Sequence, residues 1–234
     1  MASRNTLLPA FVLHRRAYSN HSLLVEFFTP GEGRFPAIAK GIKKARGHGS
    51  GLLQPFVPVL IRCAGRGEVK SLIDLEPAPG PAVPLQGKAL YCGFYLNELL
   101  MRLLQRDDPH EPLFEVYART LAQLSIGGEL AHTLRAFEIR LLEELGFGLV
   151  LDREAETGAP LEPNRLYHYR IEYGPVPAED GSLRGSTLLA LHQRRSLDKQ
   201  GIRQARELTR RVLAHYLGDR PLKSRELFRS LQSS

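Results

Sequence analysis

The stretch KGIKKARGHGSGLLQPF, residues 40–56, gathers four cations, one histidine and four glycines into its first twelve positions and then turns apolar. Residues of these types suit three tasks: wrapping the phosphates of a nucleotide, keeping a loop solvated, or holding an extended polyanion. A nucleotide loop of the Walker type needs G-x-x-x-x-G-K-[ST], because its amides wrap phosphates while the Lys and hydroxyl serve the γ-phosphate and Mg2+. Neither KGIKKARGHGSG nor LQGKAL has that spacing, and GRG at 65–67 lacks the third glycine of a dinucleotide fingerprint. Two distant cysteines, Cys63 and Cys92, and eight scattered histidines make no C-x-x-C or H-E-x-x-H pair, so no metal is expected. No G-x-S-x-G elbow is present either. The chain offers none of the usual catalytic constellations, and neither enzymatic activity nor a cofactor is expected.

The polyanion reading is favoured by one-sidedness. From Arg34 to Lys70 the sequence carries eight cations, Arg34, Lys40, Lys43, Lys44, Arg46, Arg62, Arg66 and Lys70, against the single acid Glu68. Solubility needs charge of either sign, whereas this excess builds a positive field suited to a phosphate backbone. Phe35 and Phe56 are candidates for base stacking within that field, with core as the stronger expectation for Phe56. The glycines would leave the arm mobile until a polyanion orders it. A second patch lies near the C-terminus, where Lys199, Arg203, Arg206 and Arg210 follow i, i+4, i+7, i+11 and share one helical stripe. It flanks an apolar face of Ile202, Leu208, Val212, Leu213 and Tyr216, and fits either a solvated edge or a surface for an acidic partner.

The elements that position these residues follow from periodicity. LLPAFVLHR, HSLLVEFFT, RFPAIAKG, FVPVLIRC and EVKSLIDLE are β-rich runs of strand length, separated by TPGEG, the basic loop and AGRG. Five short strands with tight turns predict a small closed barrel, an OB-fold or an SH3-like barrel. The stretch EPAPGPAVP, residues 76–84, reads as a stiff linker. Apolar stripes at helical spacing then predict helices over 85–106, over DPHEPLFEVYARTLAQLS and over ELAHTLRAFEIRLLEELG, the last ending at Gly146. Residues 152–186 are polar and irregular, with a hairpin expected around LYHYRIEYG. Helices over 199–217 and over SRELFRSLQ close the chain. The expected architecture is α+β and multidomain: an OB-fold barrel over 1–80, a helical domain beginning at 81–150, an irregular insert at 151–186, and C-terminal helices at 187–234 that complete the helical domain.

The whole chain has 234 residues, a net charge of +7 and a pI of about 9.6, which makes nucleic acid the default partner class. The charge is segmental: residues 1–84 carry +6, residues 85–150 carry −3 and residues 151–234 carry +4. No run of about 18 apolar residues exists, and MASRNTLLPAF lacks the apolar core of a secretory signal, so a cytoplasmic location is expected. On these grounds alone a general single-stranded nucleic-acid or RNA-binding OB module, or an adaptor for an acidic protein, fits as well.

Six segments narrow this. FVLHRRAYSNHSLLVEFFT, IAKGIKKARGHGSGLLQPF, GRGEVKSL, LYCGFYLNELL, AFEIRLLEELGFG and PLKSRELFR occur in this order and together resemble the RecO family of bacterial recombination mediators, notably its gamma-proteobacterial branch. The resemblance runs from about Pro9 to Leu231. It implies an N-terminal OB-fold, a helical bundle with an irregular insert, and a nucleoid-associated protein of DNA repair and homologous recombination. It further implies binding of single- and double-stranded DNA, annealing of complementary strands without ATP, and action with RecR to load RecA onto DNA coated by single-stranded DNA-binding protein (SSB). Through LRAFE, it implies that Leu134, Arg135 and Phe137 hold the acidic tail of SSB, with Arg135 facing its carboxylate. Many members carry a four-cysteine zinc motif in the insert; here that segment, REAETGAPLEPNRLYHYRIEYGPVP, has no cysteine, so zinc is not expected.

Overall fold

The computed structural model describes residues 6–41, 49–65, 67–79 and 84–224. These form two compact units, Met1–Ile126 with Leu222–Ser234, and Gly127–Pro221.

In the first unit, β1 (Leu8–Ser19), β2 (Ser22–Thr29), β3 (Gly33–Lys40), β4 (Pro58–Ala64) and β5 (Lys70–Pro77) close into a barrel of order β1-β2-β3-β5-β4. All neighbours are antiparallel except β3 and β5, which pair in parallel through Ala37 opposite Lys70 and Ile38 opposite Ser71. A five-stranded barrel of this kind is the OB-fold. A short helix, α1 (Gly49–Leu52), precedes β4. Alternate residues fill the interior, with Val12, Val25, Phe27, Phe35, Ala37, Val59 and Ile61 all fully enclosed. Phe35 and Phe56 are both buried, which corrects the expectation that either offers a stacking surface.

The run Ala10–Leu13 is apolar without alternation, and so is the pair Phe27–Phe28, because both faces of these strands are covered. The cover comes from α2 (Gly87–Leu103) and α3 (Glu111–Ser125). Phe114 and Tyr117 of α3 pack against Phe11 and Phe28 at centroid distances of 5.1–6.2 Å. The buried Tyr117 hydroxyl donates to Asn97 Oδ1, and Asn97 Nδ2 donates to the Leu13 carbonyl at 2.8 Å. The proline-rich stretch thus divides strands from helices along the sequence, while in space α2 and α3 belong with the barrel. Gly33, at φ +65°, meets the α2–α3 connection so closely that a Cβ would lie 2.0 Å from the Asp108 carbonyl oxygen. The chain returns to this unit at Leu222. There Glu98 of α2 accepts the backbone amides of Lys223 and Ser224 at 2.9 and 2.8 Å and the Ser224 hydroxyl at 2.6 Å.

The second unit holds α4 (Leu130–Glu144), a three-stranded sheet of order β7-β6-β8, α5 (Gly185–His192) and α6 (Lys199–Leu217). Strands β6 (Leu166–Arg170) and β7 (Gly174–Pro177) are the expected hairpin, and β8 (Leu183–Arg184) adds to its other edge. Helix α4 ends as expected at Gly146, φ +79°, whose amide donates to Glu143 while that of Phe147 reaches back to Leu142. Helix α5 was not legible: eight residues without an amphipathic period resemble a buried strand as much as a helix.

The insert is irregular but densely bonded. Tyr167 is fully buried and its hydroxyl accepts the Glu162 amide at 2.9 Å. The buried Glu154 carboxylate takes the Thr157 hydroxyl at 2.7 Å and Arg165 at 3.1 Å. Tyr169 shares the buried face with Tyr167, whereas Tyr173 lies in the turn and is 48% exposed. Among the described residues no three His, Cys, Asp or Glu side chains converge as metal ligands, and the donor set of a four-cysteine site does not fit this insert. No described helix is long and apolar enough to cross a membrane.

Candidate nucleic-acid interface

The outer face of β1, β2 and β3 is built by the pleat. Arg16 lies opposite Leu24, which lies opposite Ile38, and one step along the sheet Ser22 lies opposite Lys40. Residues two apart share a face, so Arg16, Leu24, Ile38 and Lys40 point outward together with His14. Arg16, Lys40 and His14 are exposed, and Leu24 and Ile38 are half-buried. Two strand spacings and one pleat step put the two cations on the order of 10 Å apart across an apolar floor. Tyr18, 58% exposed, sits at the end of the same ribbon. In OB-folds the face of the second and third strands and the adjoining loops are where oligonucleotides lie. His14, Arg16 and Tyr18 fall outside the Arg34–Lys70 window whose charge marks the interface in the sequence. The signal was present: the apolar run of β1 stops at Leu13 and the strand continues as HRRAYS, a polar extension of the ribbon.

The eight expected cations do not form one open surface. Arg34 shares the outer pleat of Ile38 and Lys40 but is covered there: its guanidinium pairs with the buried Glu26, and Nη2 donates to the Leu104 carbonyl at 2.9 Å. Lys70 Nζ lies 2.8 Å from Glu32 and 3.3 Å from Asp107, and 3.8 Å above the Phe35 ring. Arg62 pairs with Asp74 across the β4–β5 ladder. These three are corrected from free cations to members of ion pairs, because the acids that meet them fall outside the Arg34–Lys70 window of sequence. Lys40 makes no ion pair among the described residues. Lys43, Lys44, Arg46 and Arg66 lie outside the described residues. Cys63, beside β5, has its thiol pushed up to about 12 by burial, so it is no nucleophile at neutral pH.

The residues expected to hold an acidic tail are also placed differently. Phe137 is 1% exposed and belongs to the core. Arg135 is buried and bonded to Glu138 one turn along α4, and Leu134 is half-buried. The buried stripe of α4 runs through these positions, so Arg135 already has its carboxylate. By contrast Lys199, Arg203, Arg206 and Arg210 are all exposed on α6, opposite the buried Gly201, Ala205, Leu208 and Val212.

A closed OB barrel carrying an outward cationic face and continued by helices defines an OB-fold protein of the helix-appended kind. Residues 1–79 match the family Recombination protein O N terminal, and residues 84–226 match Recombination protein O C terminal. The chain is 51% identical over 230 residues to the DNA repair protein RecO of Methylococcus capsulatus, covering 97% of this chain and 95% of that protein. It is 45% identical to the DNA repair protein RecO of Nitrosospira multiformis, over 98% of this chain and 97% of that one. To the protein of that name from Nitrosococcus oceani it is 47% identical, over 98% and 95%. The chain belongs to the RecO family.

Proposed function

We propose that this chain is a DNA repair protein that acts as a recombination mediator and catalyses no bond chemistry. It binds single- and double-stranded DNA, anneals complementary strands without ATP, and works with RecR to help RecA onto strands coated with SSB. The observation that carries the reading is the OB barrel of a RecO-family chain whose β3 ends in the exposed Lys40 and leads into the sequence KKARGHG, with Arg16 on the same outer face. The physics is electrostatic. Two strands repel through their phosphates, and cations that replace condensed counterions lower that repulsion while the apolar floor of Leu24 and Ile38 takes unpaired bases. An acidic tail on SSB would recruit the protein where single strands are already covered.

The test is annealing, without ATP, of complementary oligonucleotides coated with SSB, beside a variant with Lys40, Lys43, Lys44 and Arg46 changed to Ala. Annealing by the natural chain and its loss in the variant is the expected result. Equal annealing by both removes the loop from the interface, and no annealing by either overturns the mediator reading. Preference for structured RNA over single-stranded DNA would replace it with a general nucleic-acid module.

A further inference from the structure

The outer stripe of α6, in the second unit, carries four exposed cations. We propose that Lys199, Arg203, Arg206 and Arg210 form a second nucleic-acid surface that holds the phosphate backbone of a duplex; the proposal rests on the DNA-binding reading above and extends it to the second unit.

Helix α6 has a fixed frame. Asp198 caps it through Gly201, whose amide donates at 2.6 Å, and Arg184 holds the same carboxylate at 2.7 Å, which keeps Asp198 below the usual carboxylate range. Gly218 ends it at φ +68°. Within that frame the buried face is Gly201, Ala205, Leu208 and Val212, and the four cations stand directly opposite. None makes an ion pair among the described residues, although Glu207 lies on the flank of the same face and other arginines of this unit do find acids, as Arg165 finds Glu154 and Arg184 finds Asp198. Like charges at helical neighbours repel one another. An unpaired row of four tolerates that repulsion, and a bound polyanion removes it.

Spacing and surroundings select the anion. From Lys199 to Arg210 the stripe runs about 16 Å at 1.5 Å per residue. A straight row of that length lies along successive phosphates of one strand, with at most one phosphate contact for each of the four cations. Single strands gain much of their affinity from aromatic stacking. The outer face of α6 carries no aromatic residue; Tyr216 lies on the far side, stacked at 3.9 Å on Phe147. An acidic peptide gains from an apolar pocket beside the cations, whereas the exposed residues bordering this stripe are Glu207 and Ala214, and Ile202 at its other edge is half-buried. A rigid row of charge without stacking or anchoring surface fits duplex phosphate.

The experiment is fluorescence anisotropy of the full chain with a labelled duplex and with a single strand of equal length, over a salt series. It compares the natural chain with K199Q/R203Q/R206Q/R210Q and with the charge-keeping R203K/R206K/R210K. Glutamine matches the helix propensity of the residues it replaces, and circular dichroism confirms folding. The expected result is a duplex salt slope, log K against log salt, shallower by about 3 to 4 at ~0.9 per phosphate contact. Single-strand binding stays within twofold, and the lysine variant behaves as the natural chain. An unchanged duplex slope overturns the proposal, as does equal weakening of both nucleic acids. If the glutamine variant instead loses an acidic peptide and keeps the duplex, the stripe is a protein-docking surface and the proposal also fails. Absence of any binding by the natural chain sinks the DNA-binding reading itself, a distinguishable result.

Discussion

Replacing Arg34 by alanine separates a structural cation from a DNA contact. The side chains of Arg34 and Glu26 are 11% and 7% exposed, so their pair is buried. Removing one partner of such a pair costs about 3–5 kcal/mol, because the remaining charge stays desolvated. Arg106 lies 3.5 Å from the same Glu26 oxygen and is half exposed, which places the cost near the lower end, about 3 kcal/mol. The Leu104 carbonyl also loses the Arg34 bond of 2.9 Å. At about 2–4 °C per kcal/mol for a chain of this size, melting should fall by roughly 6–12 °C. The chain has no tryptophan, so far-UV circular dichroism against temperature is the suitable probe. A companion variant with both Glu26 and Arg34 changed to Leu should recover most of the loss, since an apolar pair needs no compensating charge. Melting within about 2 °C of the natural chain, with a shallower salt slope for single-strand binding, would refute the reasoning and return Arg34 to the interface.

Tyr117→Phe leaves Asn97 Oδ1 buried without its donor and should cost about 1–3 kcal/mol in thermal melting at neutral pH. Burial holds the Tyr117 phenol well above its ordinary range, so its contribution to stability is complete below pH ~10 and falls above it, where the unfolded phenol ionises. The natural chain should therefore lose stability in alkali more steeply than Tyr117→Phe, and parallel curves would count against that assignment. Glu98→Ala frees two amides and a hydroxyl at Leu222–Ser224. Limited proteolysis should then cut the C-terminal segment faster while the barrel melts within a few degrees of the natural chain; an unchanged cleavage rate would show that the segment is held by other contacts.

Much of the architecture was written in local pattern. The five strands, the helices at residues 87–103, 111–125, 130–144 and 199–217, the hairpin at residues 166–177 and the cap at Gly146 all follow from periodicity and turn residues, which depend on near neighbours. The α6 stripe was legible for the same reason: its four cations share one helix, so spacing fixes their face. Helix α5 was not, because a buried helix of eight residues has no polar side to mark its period.

What the sequence by itself determined, then, is the order of elements, the barrel class, the family, and the total charge of each segment. Only the tertiary structure decided which charges are available. Glu26, Glu32, Asp74 and Asp107 lie outside the one-sided window of residues 34–70, yet they close on Arg34, Lys70 and Arg62. Arg135 meets Glu138 under a cover that linear spacing does not reveal. Arg16 and Lys40, far apart in the chain, come to share one outer face through strand register. Charge adds along a sequence, but ion pairing and desolvation depend on distances of a few ångströms, and those are set by which strands and helices meet.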